Sequence, residues 1–336
     1  MTSFDSLETA EQLSRIKKLA RRALPLYGLP FVSEIKLLNY SENATFLVIT
    51  PMSEKRVLRI NRPGYHPRSH IASELAWVQA LQRDTDIITA TPYAGLDGEH
   101  VQHIWHPDVP EPRNCVLMDF LPGHEPDASN RFEAFALLGT ITAKLHRHVE
   151  DWKPSEPIQR KRWDYDAMIG GTNLWGDWRE GPDLDAKGIQ LLEETAEVIA
   201  AKTTQLPETK KTWGLIHADL RTPNLLIQSG QVAVIDFDDT GYSWFIYDLA
   251  AALSFIETDP NLESFINVWL EAYQKVRPLS QQEIELIPTF IMLRRMLLLA
   301  WIGSHSDTAQ AAEVKDGFTS DTLEMAKTYL QSGLIF

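Results

Sequence analysis

The chain has very little cysteine and no excess of positive charge. Cys115 is the only cysteine among 336 residues, so no disulfide can form within the chain. A single thiol is typical of a protein from a reducing compartment such as the cytoplasm. Lysine and arginine number 32 against 46 aspartates and glutamates, which gives a net charge of −14. Because binding to a phosphate backbone requires a basic surface, this balance argues against a nucleic-acid partner.

Long uninterrupted apolar runs are also lacking. The most apolar stretch, residues 286–303, is broken by Arg294 and Arg295, whereas a membrane-spanning helix needs about 20 predominantly apolar residues. We therefore expect a buried core helix there and no membrane partner. Residues 1–24 carry acidic side chains among the apolar ones, which predicts an amphipathic surface helix rather than a targeting signal. The oligomeric state stays open.

Two regions of different periodicity follow one another along the chain. The first alternates between apolar and polar residues or forms short apolar runs, and it contains one helical pattern at residues 69–82. The Pro-rich residues 106–113 are predicted to be a loop between the last two strands. The predicted strands are residues 31–38, 45–50, 55–60, 98–105 and 114–121.

The second region is mainly helical. Its predicted helices are residues 131–149, 187–203, 245–257, 260–276, 282–304 and 318–333. Three short strands interrupt them, at residues 214–218, 224–228 and 231–237, and Ser229-Gly230 is predicted to turn the last two into a hairpin. The prediction is an α+β protein with a sheet-containing domain over residues 1–121 and a mainly helical domain over residues 122–336.

One stretch beside these short strands, "LIHADLRTPNLL", concentrates polar residues that suit phosphoryl transfer. Asp219 follows His217 by two residues, Asn224 follows Asp219 by five, and Asp236 ends the next apolar strand. Transfer from a nucleotide requires a carboxylate that accepts the proton of the attacking hydroxyl, and oxygen ligands that hold Mg²⁺. The spacing H-x-D-x-x-x-x-N is that of the kinase catalytic loop. The stretch predicts Asp219 as base and Asn224 and Asp236 as Mg²⁺ ligands.

The same residues fit two other interpretations. Asp, Asn and Pro are ordinary turn formers, which would make the stretch a surface turn without chemistry. "IDFDDT" also matches the D-x-D-x-T pattern of haloacid-dehalogenase-type phosphatases, with Asp236 as nucleophile and Asp238 as acid/base. That fold builds a doubly wound sheet after the motif, whereas the residues after Asp236 are predicted to be helical. The phosphatase interpretation also gives Asp219 no role.

Taken together, "HADLRTPNLL", "IDFDDTGYSWFIYDLA" and "LMDFLPG" resemble the aminoglycoside phosphotransferase and choline kinase family. "LLNYSENATFLV" and "VLRINRPGYH" are similar to its homoserine-kinase and stress-response-kinase branch. The resemblance implies a bilobal protein-kinase-like fold with ATP and Mg²⁺ as cofactors. A small antiparallel-sheet N-lobe would span residues 1–121, with a hinge at its end. A larger helical C-lobe, residues 122–336, would hold the catalytic loop, the metal site and the acceptor pocket.

The resemblance also implies residues that bind the nucleotide. At the hinge, adenine would pair with the main-chain carbonyl of Asp119 and the amide of Leu121. Arg59 stands where the family has a phosphate-binding lysine, and Glu74 on the following helix would be its partner. An exposed ion pair of little consequence is the alternative.

Two further features follow from the resemblance. No G-x-G-x-x-G loop is present over the phosphates, and "NYSENATF" stands in its place. There Ser41, Asn43 and Thr45 offer hydroxyl, amide and backbone donors, although a turn of no chemical importance is the alternative. Asp248 matches a family aspartate that braces the catalytic loop, and His146 is expected to be structural.

Tryptophan is concentrated in one part of the second region. Four of the ten tryptophans lie within residues 152–178, among aspartates and glycines. We interpret this insert as a lid over the acceptor, since aromatic rings and carboxylates favour a cationic acceptor such as an amino alcohol. Packing of the insert is the alternative, and for Arg294 the alternative is pairing with an acidic loop. The predicted acceptor contacts are Asp239, Tyr242, Trp175, Trp178, Arg294 and Trp301.

The predicted function is therefore that of a kinase. It would move the γ-phosphate of ATP, with Mg²⁺, to a hydroxyl of a small metabolite that is an amino alcohol, homoserine-like or aminoglycoside-like. Two alternatives stay open. One is a Ser/Thr protein kinase of the stress-response type, and the other is a nucleotide-binding pseudokinase, because the lysine-to-arginine change falls at a phosphate contact.

Overall fold

The computed structural model describes residue 4 and residues 7–40, 43–306 and 308–335. Contacts between residues divide the chain into two units. The first unit comprises Met1–Gly123, Pro154–Gln159 and Gly230–Asp238. The second comprises His124–Lys153, Arg160–Ser229 and Asp239–Phe336. Two short segments of the later chain therefore belong to the first unit, and one of them carries Asp236.

The first unit is built on a five-stranded antiparallel sheet with the order β1-β2-β3-β6-β5. Its strands are β1 (Glu34–Tyr40), β2 (Asn43–Ile49), β3 (Lys55–Asn61), β5 (Gln102–His106) and β6 (Val109–Asp119). A short parallel pair is formed by β4 (Ile88–Thr89) and β9 (Gln231–Val234). Its helices are α1 (Thr9–Ala23) and α2 (Arg68–Asp84).

Side-chain alternation along the strands separates the two faces of this sheet. Leu58 and Ile60 of β3 pack in one apolar cluster with the buried residues of α1. Val116 of β6 packs on the other face, with the buried residues of α2. Successive residues of a strand point to opposite faces. Arg59 lies between Leu58 and Ile60 and directly opposite Val116, so its side chain projects to the α2 face.

The predicted loop at residues 106–113 is wrong over most of its length. β6 begins at Val109, which pairs with His106 of β5 across a short turn. Pro110 and Pro112 are therefore strand residues. They are tolerated because they lie before the part of β6 that pairs with β3, and proline, which lacks an N–H, is confined to such unpaired strand edges.

The second unit is mainly helical. Its helices are α3 (Arg131–Asp151), α4 (Tyr165–Met168), α5 (Ala186–Thr203), α6 (Tyr247–Ala252), α7 (Leu262–Gln274), α8 (Gln281–Glu285), α9 (Ile287–Ser304), α10 (Ala309–Val314) and α11 (Phe318–Ser332). The strands β7 (Trp213–Ile216) and β10 (Gly241–Trp244) form an antiparallel pair. β8 (Leu225–Gln228) is followed by Ser229 and Gly230, which both have positive φ as a type I′ turn requires.

The apolar stretch at residues 286–303 forms α9. This helix is long and apolar enough to cross a membrane, yet 78% of it is buried inside the protein, so the prediction of a core helix is confirmed. The single helix predicted at residues 282–304 is instead two helices. The chain restarts at Ile287 with Pro288 in the first turn of α9, a position where the missing N–H of proline breaks no helical hydrogen bond.

Candidate active site

Asp219 lies in the loop after β7, just before a 3₁₀ turn at Thr222–Asn224. The preceding residue, Ala218, has a φ of 67°, which is a left-handed conformation that an alanine rarely adopts. The carboxylate of Asp248 holds this bend, because it accepts the backbone N–H of His217 at 3.2 Å and that of Ala218 at 2.7 Å. Asp248 therefore braces the loop, as the resemblance implies.

Asp248 is itself the end of a buried chain of hydrogen bonds. Arg277 Nη1 lies 2.9 Å from the Tyr273 hydroxyl, which lies 2.8 Å from His146 Nδ1. His146 Nε2 lies 3.0 Å from Asp248 Oδ2. The carboxylate of Asp248 accepts from Nε2, so in the neutral ring Nδ1 carries no hydrogen and accepts from the Tyr273 hydroxyl. Burial lowers the pKa of His146, against the opposing effect of Asp248, so the histidine is neutral and structural.

Four hydrogen-bond donors contact the carboxylate of Asp219. Arg221 donates from Nε to Oδ1 at 2.9 Å and from Nη2 to Oδ2 at 3.2 Å. Arg294 Nη2 donates to Oδ1 at 3.0 Å, and Asn224 Nδ2 donates to Oδ2 at 3.2 Å. Burial acts to raise the pKa of this carboxyl, but the charges of Arg221 and Arg294 more than offset it and hold the pKa below its ordinary value. Asp219 is therefore ionised, as a base must be.

Asn224 is fixed against the same aspartate. Its amide nitrogen also donates to the main-chain carbonyl of Asp219 at 2.7 Å, and the side chain is buried. Because the Asn224 amide nitrogen donates to Asp219, the Asn224 amide oxygen is the atom that could bind a hard cation. Oxygen is the ligand type that Mg²⁺ prefers.

Arg294 is buried and is hydrogen-bonded to Asp219. The side chain is 2% exposed, and besides Asp219 it donates from Nε to Ser254 Oγ at 2.9 Å and from Nη1 to the Tyr247 hydroxyl at 3.2 Å. Its guanidinium carbon lies 5.2 Å from the ring centroid of Trp175. The alternative of pairing with an acidic loop is present in the structure, and the predicted acceptor contact of Arg294 stays a prediction.

The tryptophan insert is largely packed into the second unit. Trp178 is fully buried and donates its indole N–H to the carbonyl of Ile169, which favours the packing alternative for this ring. Trp175 is nearly buried and meets Trp163 edge to face, with ring centroids 5.2 Å apart. Trp163 in turn donates to the main-chain carbonyl of Asp239 at 2.7 Å. For these rings, packing is the better interpretation.

Three of the predicted acceptor residues keep part of their surface exposed: Asp239, Tyr242 and Trp301. The carboxylate of Asp239 lies 3.6 Å from the ammonium of Lys161. The ring of Trp301 stacks on His305, with centroids 5.2 Å apart. Their roles toward an acceptor stay predictions.

In the first unit, Arg59 is the centre of a buried charged cluster. Its Nη2 donates to Glu74 Oε2 at 2.9 Å, and the two side chains are only 6% and 2% exposed. Its Nη1 lies 3.5 Å from Asp238 Oδ1. Burial acts to lower the pKa of this guanidinium, but the two carboxylates raise it above its ordinary value. The predicted Arg59–Glu74 pair is present, and its burial rules out the alternative of an exposed ion pair.

The residues that replace the glycine-rich loop do not all face outward. Asn43 donates its amide to Asp238 Oδ2 at 2.9 Å, so in this structure it binds a carboxylate, and its role as a phosphate donor stays a prediction. Thr45 lies in β2 directly opposite Arg59 of β3. Ser41 lies outside the described residues, and its predicted role stays a prediction.

Asp236, which is predicted to be a metal ligand, has an uncommon backbone conformation. It is exposed and has a φ of 61°. Left-handed backbone costs a non-glycine residue about 1–2 kcal/mol, although aspartate tolerates it better than most. The described residues contain no group of three or more His, Cys, Asp and Glu side chains that could hold a metal. Mg²⁺ does not require one, since it takes one or two carboxylates with phosphate oxygens and water.

The two predicted hinge residues lie at and just beyond the end of β6. The backbone N–H of Asp119 donates to the carbonyl of Thr91 at 3.0 Å, and its carboxylate accepts the Tyr93 hydroxyl. Leu121 follows the strand and is partly exposed. Their pairing with adenine stays a prediction.

The sequence of residues 35–281 matches the phosphotransferase enzyme family, APH. The chain belongs to this family. The match contains both Arg59 and Asp219 and covers most of the chain, so the interpretation of the motif as a phosphatase site is excluded.

Solved structures and a curated relative extend this result. The microcompartment-associated aminopropanol kinase is 34% identical with a TM-score of 0.87, over 95% of this chain and 99% of that one. Amicoumacin kinase hAmiN, in complex with AMP-PNP, Ca²⁺ and Ami, is 21% identical with a TM-score of 0.77, over 94% and 96%. The homoserine kinase of Gluconobacter oxydans (strain 621H) is 30% identical over 58% of this chain and 62% of that protein.

The predicted family, fold class and enzyme class are confirmed by these comparisons. This member of the phosphotransferase enzyme family has the protein-kinase-like fold of that family, with an antiparallel-sheet N-terminal region and a helical C-terminal part. It is a kinase that transfers a phosphoryl group to a small molecule, as its named relatives are.

The sequence did not predict two residues of this phosphotransferase site. Arg221 occupies a variable position of the H-x-D-x-x-x-x-N spacing, and only its place two residues after Asp219 was available as a signal. Asp238 was considered solely as an acid in the phosphatase pattern, whereas the structure places it beside Arg59.

Proposed function

We propose that the protein is an ATP- and Mg²⁺-dependent kinase whose acceptor is the hydroxyl of a small amino alcohol. The observation that carries the acceptor class is the 34% identity to an aminopropanol kinase over 95% of this chain. The partly exposed Asp239 and Trp301 agree with it, because a carboxylate and an aromatic face both attract an ammonium group. We also propose a reducing, cytoplasmic location, in keeping with the buried free thiol of Cys115.

In the proposed reaction, Asp219 accepts the proton of the acceptor hydroxyl. The acceptor oxygen then forms a bond to the γ-phosphorus, the bond from that phosphorus to the β-phosphate oxygen breaks, and ADP leaves. Asn224 and Asp236 would hold Mg²⁺, which when bound supplies charge neutralisation at the phosphates. Positioning and electrostatic stabilisation account for most of the catalysis in such transfers.

Arg59 supports the nucleotide part of this proposal. Its Nε is buried, and within the described part of the chain it has no hydrogen-bond partner. A buried donor without a partner costs about 1–3 kcal/mol. A phosphate oxygen at this position would satisfy the donor, so Arg59 replaces the usual lysine as the proposed contact to the α- and β-phosphates.

The nucleotide and metal are tested by thermal-shift titration of ATP with and without Mg²⁺, on the wild type and on Asp236→Ala. Ligand at 100 times its Kd stabilises a fold by about 2.7 kcal/mol, which is a clear shift in Tm. We expect a Mg²⁺-dependent shift in the wild type that is lost in Asp236→Ala and kept in Asp108→Ala, whose exposed carboxylate pairs with Lys18. No shift with ATP in the wild type would refute the nucleotide assignment.

The acceptor is tested by ADP release with Mg²⁺-ATP and one candidate at a time. The candidates are 1-amino-2-propanol, homoserine, kanamycin and casein, and they represent the amino-alcohol, homoserine-like, aminoglycoside-like and protein acceptors. We expect the highest kcat/KM with the amino alcohol. A higher value with any of the other three would overturn the proposed acceptor class while leaving the kinase assignment in place.

A further inference from the structure

The proposed base has no room for a substrate hydroxyl in this structure. A carboxylate offers about four lone-pair sites to hydrogen-bond donors. Oδ1 of Asp219 accepts from Arg221 and Arg294, and Oδ2 accepts from Arg221 and Asn224. A general base must be hydrogen-bonded to the proton that it removes. One of the four donors must therefore leave before the acceptor hydroxyl can bind.

Two of the three donor residues are fixed by other partners. Arg294 is buried in α9 and is also held by Ser254 and Tyr247. Asn224 is also held by the main-chain carbonyl of Asp219 at 2.7 Å. Removal of either residue from the carboxylate would break these other hydrogen bonds in a buried environment, where unsatisfied polar groups are costly.

Arg221 is held more weakly than the other two donors. Its side chain is 28% exposed. Within the described residues, both hydrogen bonds of its guanidinium go to Asp219, and its remaining contact is a distant one, 5.7 Å from the ring centroid of Phe255. Water can replace the hydrogen bonds of a partly exposed arginine, so Arg221 is the donor that exchanges.

We propose that Arg221 closes off Asp219 before the acceptor binds, and that the acceptor hydroxyl displaces it from the carboxylate. The released guanidinium then binds the phosphoryl group that is being transferred. The transfer itself is unchanged: the proton goes to Asp219, the acceptor oxygen bonds to the γ-phosphorus, and ADP leaves. Arg221 is thus a second catalytic residue in this loop. This inference rests on the proposed kinase function.

Charge and geometry favour a phosphoryl group as the second partner of Arg221. The cluster contains two arginines and one carboxylate, so its net charge is positive and it attracts an anion. The planar guanidinium fork matches two phosphate oxygens as well as it matches a carboxylate. Because Arg221 lies two residues from the base, its guanidinium remains beside the oxygen that attacks phosphorus.

The test compares kcat and KM for 1-amino-2-propanol in the wild type, Arg221→Ala and Arg221→Lys. Removal of a group that stabilises transferring charge lowers kcat by about 10²–10³-fold. We expect that loss in Arg221→Ala, a smaller loss in Arg221→Lys, no rise in the acceptor KM, and partial recovery of Arg221→Ala by added guanidinium chloride. The ATP-induced shift in Tm should be that of the wild type in both variants.

Arg131→Ala is the matched control, since Arg131 is 35% exposed, pairs with one carboxylate, that of Asp259, and lies over the ring of Phe265. It should keep wild-type kcat. A kcat of Arg221→Ala equal to or above that of the wild type would overturn the phosphoryl role. A rise in KM without a fall in kcat would overturn it as well, by assigning Arg221 to acceptor binding.

A second measurement follows the release of Arg221 without turnover. The protein is labelled with ¹⁵N-arginine, and the NMR signal of the Arg221 Nε–H is assigned as the one that is absent in Arg221→Ala. This signal is then recorded in the wild type with AMP-PNP, Mg²⁺ and 1-amino-2-propanol. We expect it to shift when both ligands are present, and an unchanged signal would overturn the exchange. A wild type that turns over none of the acceptors would overturn the proposed function and this inference together, whereas an active wild type with an unchanged Arg221→Ala would overturn this inference alone.

Discussion

The Arg59 cluster of the first unit and the Asp219 cluster of the second unit use the same groups in opposite proportion. The Arg59 cluster has one guanidinium between two carboxylates, those of Glu74 and Asp238. The Asp219 cluster has one carboxylate between two guanidiniums, those of Arg221 and Arg294. The first carries a negative excess, and the second carries a positive excess, which a phosphoryl group would relieve.

The two clusters also differ in how much freedom their members have. Arg59 and Glu74 are both deeply buried, so loss of Arg59 leaves carboxylates without compensation in a low dielectric. In the Asp219 cluster, one arginine is locked in α9 while the other is partly exposed. The comparison indicates that the first cluster is chiefly a fixed support, whereas the second has a part that can exchange during a reaction.

The largest expected effect is on turnover, in Asp219→Asn. Asparagine keeps the size of the side chain and can still accept from Arg294, but it cannot take up the acceptor proton. A positioned base contributes about 10²–10⁴ to the rate, so kcat should fall by about 10³-fold while the ATP-induced shift in Tm stays near that of the wild type. The control is Asp259→Asn, in which a surface carboxylate paired with Arg131 is neutralised. An undiminished kcat in Asp219→Asn would show that the Asp219 cluster takes no part in the chemical step.

Most of the fold could be predicted because its signals are local. Strands that alternate, such as β2, show their buried face directly in the sequence, and the apolar α9 could be recognised as a core helix from its two interrupting arginines. The start of β6 could not be predicted. Pro110 and Pro112 indicate a loop unless it is known that this part of β6 is not paired with β3. That depends on the order of strands in the sheet.

For the site, the sequence predicted positions but not partners. The spacing of Asp219 and Asn224 within one loop is a local property, and the structure holds them together. The attachment of Arg294 to Asp219 spans 75 residues, and no spacing rule reports such a pair. Trp178 shows the same limit, since a cluster of tryptophans in the sequence does not distinguish rings that pack inside the protein from rings that face a ligand.

The next largest effect is on the free energy of unfolding, which is compared between Arg59→Met and Arg294→Met. Loss of Arg59 leaves two buried carboxylates, so the free energy of unfolding should fall by about 3–5 kcal/mol. Loss of Arg294 leaves Asp219 paired with Arg221, so we expect a smaller fall, about 1–3 kcal/mol. Urea denaturation at pH 7 measures both, with Arg131→Met as the exposed control at about 0–1 kcal/mol. Equal losses in the two buried variants would contradict the distinction between the clusters.

The smallest expected effect concerns His146, which is hydrogen-bonded to Asp248, the residue that braces the Asp219 loop. Burial lowers the pKa of His146 in the folded state, whereas in the unfolded chain it titrates at about 6.5. The unfolded state therefore binds the proton first as pH falls, and stability that is present above pH 6.5 is lost below it. In His146→Gln, whose amide can donate to Asp248 and accept from Tyr273, we expect the drop in unfolding free energy between pH 7.5 and pH 5.5 to be smaller by about 1 kcal/mol.

His148→Gln, on the partly exposed side of the same helix, should keep the wild-type dependence. An identical pH dependence in His146→Gln and the wild type would mean that the support of Asp219 does not rest on a neutral histidine.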